Sequence, residues 1–82
     1  MGMKLHVGNL QSSITEDDLV ITFGRFGAVA SVIVFRDADT GISRGFGSVE
    51  MATDEAATNA ISSLNLTQQD GLTMIVGRAR AG

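Results

Sequence analysis

The chain has 82 residues and a formal net charge of −3, from 9 acidic and 6 basic side chains, and it contains no cysteine. That length fits one small domain, 1–82 with a core over about 3–80, and such a domain buries only somewhat more than half of the surface its unfolded chain exposes. Disulfides, thiolate nucleophiles and thiolate metal sites are excluded, and the acidic total, taken whole, argues against a polyanionic ligand, so the placement of the charges must decide. The apolar runs are too short to cross a bilayer and the N-terminus lacks the apolar core of a signal peptide, so the expectation is a soluble, cytoplasmic monomer without membrane contact.

Met3 to Gly8 alternates, with Leu5 and Val7 on one side and Lys4 and His6 on the other, which predicts a first strand. After the polar Gln11-Ser12-Ser13, Thr15 has the character of an N-cap, and Glu16, Asp17 and Asp18 place carboxylates at the positive end of a helix dipole. Ile14 and Leu19 have the spacing of a hydrophobic staple, while Leu19, Phe23 and Phe26 share one face of the helix that ends before Gly27. Val20 and Ile21 fall outside that face and could seed a small contact patch.

Val29 to Phe35 is β-branched and alternating, which predicts a second strand with Val32 and Val34 inward and Ile33 and Phe35 outward. Arg36 to Ser43 is a turn-rich loop. It leads into Arg44-Gly45-Phe46-Gly47-Ser48-Val49-Glu50-Met51, an extended stretch with Arg44, Phe46, Ser48 and Glu50 on one face and Gly45, Gly47, Val49 and Met51 on the other. A cation and an aromatic ring on the wet side of a strand are hard to explain by core-building alone. Thr53 then caps a second helix whose buried stripe is Ala56, Ala60, Ile61 and Leu64. Asp70-Gly71 marks a turn, and Leu72 to Ala79 predicts a last strand with Met74 and Val76 inward and Thr73 and Ile75 outward, followed by Arg80.

The octamer Arg44 to Met51 resembles the longer signature of the RNA-recognition motif family, with basic residue, glycine, aromatic, glycine and aliphatic residues in their places. Leu5-His6-Val7-Gly8-Asn9-Leu10 resembles the family's shorter hexamer, with His6 standing where an aromatic is usual. The resemblance implies an α+β, ferredoxin-like βαββαβ sandwich in which a four-stranded antiparallel sheet carries both helices on one face. It also implies that His6 and Ser48 occupy the base-stacking positions, that Phe46 wedges against sugars and that Arg44 meets phosphate.

Two positions depart from the signature. Ser48 replaces a second aromatic and Met51 a third, but Met51 faces the core. A serine cannot stack, and a stacked base is worth roughly 1–3 kcal/mol, so binding is expected to be weaker by about one to two orders of magnitude than with every ring in place. The function expected is binding of single-stranded RNA, ahead of single-stranded DNA, without a cofactor or metal. Lys4 joins Arg44 at phosphate, and Arg78 and Arg80 form a basic edge. The expected polarity puts cations near the sheet and most carboxylates at helix starts.

Bland readings stand beside these. Phe46 could merely cover the sheet, His6 could fill an exposed strand, and Arg78 and Arg80 could be solvated residues near a chain end. An enzyme has little support, because the single histidine lacks a residue pattern that would orient it. Acylphosphatase-type chemistry on the same fold would call for an arginine after the first strand, and Asn9 to Thr15 has none. The alternative is a protein-interaction module that uses the first helix, to which Ser48, the acidic total, Val20 and Ile21 lean.

Overall fold

The computed structural model describes residues 3–69 and 71–79. Strand β1 (Met3–Gly8) buries Leu5 and Val7 and exposes Lys4 and His6, the period of a pleated strand with one wet face. Helix α1 (Glu16–Gly24) begins at a reciprocal cap: the Asp18 amide donates to the Thr15 hydroxyl, and the Thr15 amide donates to the Asp18 carboxylate at 3.0 Å. Leu19 and Phe23 enter the core from this helix, and Phe26 packs against the core from just beyond it.

Strand β2 (Val29–Arg36) pairs antiparallel with β3 (Ser43–Met51), with register shifts between Val29 and Ser31 and between Val34 and Arg36. Helix α2 (Asp54–Leu64) starts where the Thr53 hydroxyl accepts from the Ala56 amide at 3.1 Å, and it buries Ala56, Ala57, Ala60 and Leu64. Three of these are alanines, so the helix axis can come close to the sheet.

The last expected strand needs correction. Leu72 to Ala79 is not continuous: β4 (Gln68–Gln69) and β5 (Leu72–Thr73) form a separate two-stranded hairpin, and β6 (Ile75–Arg78) joins the main sheet. Between them the Met74 amide donates to the Thr67 carbonyl, and the Met74 carbonyl accepts from the Leu66 amide, each at 2.7 Å. The in-and-out rhythm of side chains runs on through Met74 to Val76, both buried, while the backbone changes partner. A hydrophobic pattern records which face a side chain takes, not which strand its backbone bonds.

The main sheet has the order β2-β3-β1-β6 and every pairing in it is antiparallel. Leu5, Val7, Val34, Val49, Met51 and Val76 join residues of both helices in one core, so both helices lie on one side. This is the ferredoxin-like βαββαβ arrangement, with β1 and β3 in the middle and the other face of the sheet uncovered.

Candidate nucleic-acid interface

Strand register assembles the open face in rungs. His6 lies opposite Ser48 on one side and Gly77 on the other, and Ser48 lies opposite Ile33, so Ile33, Ser48, His6 and Gly77 cross the sheet together. One step along, Gly8 sits between Phe46 and Ile75. One step in the other direction, Lys4 and Ser31 both face Glu50.

Rings gather where these rungs meet. The His6 and Phe46 centroids are 6.0 Å apart with planes at 33°, and Phe35 lies 5.2 Å from Phe46 at 40°. The imidazole lies beside Gly8, where a Cβ would stand 3.5 Å from His6 Nε2, an ordinary contact distance. Phe46 and Ser48 are half-buried and His6 is exposed. An open groove of about 560 Å³ is lined by His6, Gly8, Asn9, Arg44, Phe46 and Ile75, among others.

Backbone geometry at the mouth of this groove explains the residues that flank the rings. Asn9 has φ 59°, a conformation that asparagine tolerates better than most, and its Nδ2 donates to the Thr73 carbonyl at 2.7 Å. Leu10, next in the hexamer, is buried, and its amide donates to the Gly45 carbonyl at 2.8 Å. Gly45 itself has φ +84°, and a Cβ on it would crowd the Leu10 carbonyl oxygen at 3.3 Å. The loop after β1 is therefore held against β3, and Arg44 is held beside Phe46.

The cations divide. Arg44 and Lys4 are exposed, and among the described residues the one ion pair is Arg36 with Glu16, at 3.3 Å. Lys4 shares its rung with Glu50, whose carboxylate accepts from the Ser31 hydroxyl at 3.4 Å, so the field at that end is partly cancelled. Arg78 does not join the face. It lies opposite buried Leu5, on the helical side of β6, and its guanidinium donates to the Thr58 hydroxyl of α2 at 3.4 Å. The basic edge expected from Arg78 and Arg80 is thus corrected for Arg78, whose position in the pleat turns it away, while Arg80 lies outside the described residues. The expected polarity of charge is also reduced, since Arg36 is drawn to the start of α1.

Glu16 meets three donors. Its carboxylate accepts from its own amide, from the Val34 amide at 3.2 Å and from Arg36, and these hold its pKa below the ordinary carboxylate value against a smaller opposing effect of burial.

Alternation along β2 predicts Phe35 on the outward face but not which ring it meets there. The register of Ile33 with Ser48 and Val34 with Gly47 runs on to set Phe35 beside Phe46, just before the pairing shifts at Arg36. Among the described residues no group of three His, Cys, Asp or Glu side chains is placed to hold a metal ion, and no helix is long and apolar enough to cross a membrane.

A sheet face free of helices, with tilted rings and a cation beside them, is the surface of a binding module. The chain belongs to the RNA recognition motif family, whose model matches residues 5–74. It is 41% identical over 81 residues to the glycine-rich RNA-binding protein 1 of Mycosarcoma maydis, covering 99% of this chain and 46% of that protein, so it spans about half of that relative's length. Among solved structures it is similar to the RNA-binding protein PG1, with TM-score 0.93 and 40% identity over 98% of this chain and 96% of that one. A Sxl-lethal protein solved as a complex with RNA is similar at TM-score 0.89 and 35% identity, over 94% of this chain and 47% of that one.

Proposed function

We propose that the protein binds single-stranded RNA across the open face of its sheet, with RNA preferred to DNA. The observation that carries this reading is the run of rings from His6 through Phe46 on an uncovered surface, with Arg44 beside them and outside any ion pair described. Bases present a π-face whatever their identity, so such a platform holds single strands with little sequence preference. His6 and Phe46 supply stacking surface, and Arg44 and Lys4 meet phosphates. Ser48 takes one stacking increment away. The RNA bound in the complex of a similar protein supports the choice of ligand.

Amide-shift mapping with a pool of short single-stranded RNAs tests the site. Shifts on β1 and β3, with Phe46→Ala weakening binding roughly tenfold to a hundredfold, are the expected result. Shifts confined to the helices, or none at millimolar RNA, would overturn it.

A second reading has one observation in its favour. Ile21 is 70% exposed and Val20 42% exposed on α1, an apolar pair that suits a protein partner. Ile21→Asp would abolish that contact and leave RNA binding unchanged.

A further inference from the structure

We infer that Phe35 is a base-stacking residue, and that the second stacking position of this sheet has moved from Ser48 in the centre to Phe35 on the edge strand. The inference rests on the RNA-binding reading above.

Ser48 leaves the middle rung without a ring between His6 and Ile33. A base arriving there meets a hydroxyl and the side of an isoleucine. Phe35 provides what is missing one step away. The residue is 40% exposed, and its ring stands 5.2 Å from that of Phe46 on the side opposite His6's strand, so Phe46 becomes the middle of three rings instead of the end of two.

Core-building does not account for this ring. Phe35 belongs to the outermost strand and is absent from the core cluster and from the apolar residues packed against it. Between Val34, which pairs with Gly47, and Arg36, which pairs with Ser43, the ladder is irregular, with two residues on β2 spanning four on β3. The extra residues are on β3, so the regular register that pairs Val34 with Gly47 runs on to set Phe35 beside Phe46, and the bulge follows at once, as bulges beside binding sites commonly do. Ile33 and Ile75, each 50% exposed, continue the apolar floor on either side of the rings.

The ligand geometry that follows is a diagonal one. One base rests on His6 near the centre of the sheet and another on Phe35 toward β2, with Phe46 between them against sugar. Arg44, at the mouth of the groove beside Phe46, meets the phosphate that joins this path. Ring contacts carry no charge, so Phe35 contributes to affinity without contributing to its salt dependence.

The test uses fluorescence anisotropy of labelled octauridylate with the full chain, with melting temperatures recorded for every variant. Phe35→Leu keeps an apolar side chain on the edge strand but removes the π-face. It is expected to weaken binding roughly tenfold to a hundredfold with the salt slope unchanged, and Phe35→Tyr is expected to restore it. Ser48→Phe is expected to gain more in the Phe35→Leu background than in the native one, because the two rings serve one stacking position, and equal gains in both backgrounds would overturn that exchange of positions. Native affinity in Phe35→Leu alongside weakened binding in Phe46→Ala would overturn the inference and leave the RNA-binding reading standing. Native affinity in both variants, or no binding by the unmodified chain, would overturn that reading and this inference with it.

Discussion

The carboxylate of Glu16, the first residue of α1, accepts the backbone N–H of Val34 on the outer strand β2 at 3.2 Å. An outer strand presents backbone donors that can recruit another chain, and a side chain that occupies one of them blunts the edge. The opposite edge is treated in the same way. Asn65, which follows α2, accepts the Val76 amide of β6 through its Oδ1 at 3.0 Å. Each helix of the fold thus has a neighbouring polar side chain that closes one margin of the sheet.

Glu16 should titrate below an ordinary glutamate, because its hydrogen bonds to its own amide and to that of Val34, together with Arg36, favour the charged form. A carboxyl whose folded pKa lies below its unfolded one stabilises above the unfolded value, and that stabilisation is lost as pH falls through the folded one. At pH 7 Glu16→Gln should therefore be less stable than the native chain, by no more than about 1 kcal/mol given a side chain 41% exposed to screening solvent. The gap should close in acid. Urea melts of both proteins at neutral pH and below the folded midpoint measure it, and a gap independent of pH would refute the assignment.

Asn65→Ala should cost about 1–3 kcal/mol, since it strands the amide of Val76, a residue 2% exposed. Chemical denaturation gives the loss. Faster hydrogen exchange at the Val76 amide than at its neighbours in β6 would place the damage there, and exchange unchanged at that amide would count against it.

Gly47→Ala should also destabilise, by roughly 1–3 kcal/mol, through a different cause. The added Cβ would collide with the Ile33 carbonyl oxygen and approach Val34 Cα at 3.3 Å, so two backbones would have to separate. Thermal unfolding reads the effect, with broadened amide signals along β2 as its signature. Gly77→Ala is the control, because nothing lies within 4 Å of a Cβ built there.

Salt dependence should separate the arginines. Each phosphate contact adds about 0.7 to the slope of log affinity against log salt for a single strand. Arg44→Ala is expected to reduce that slope by about one such contact, whereas Arg78→Ala should leave it in place, because its guanidinium is engaged with Thr58 behind the sheet. Anisotropy titrations across a salt series decide the point, and a slope lowered equally by both variants would contradict the geometry.

Much of this molecule was legible from residue order alone. Caps and periodicity are local, so Thr15 and Thr53 announce the helix starts, and the alternation of Leu5 with His6 or Val49 with Ser48 separates the wet face from the dry one. The pairing of the two signature strands was implied by resemblance and is found in the register that sets His6 against Ser48.

Three things depended on contacts between residues far apart in the chain. Met74 hands the backbone from one ladder to another without disturbing the rhythm of side chains. Arg78 turns to Thr58, and Arg36 to Glu16, each an acceptor 20 positions away that packing brings within reach. Phe35 reaches Phe46 through the register in which Ile33 meets Ser48 and Val34 meets Gly47, and a register is a relation between residues far apart in the chain. Residue types and their spacing determine which faces are dry and where helices begin, since those follow from neighbours a few positions away. Where a long side chain ends, and which ring meets which, is decided by the packed backbone that carries it.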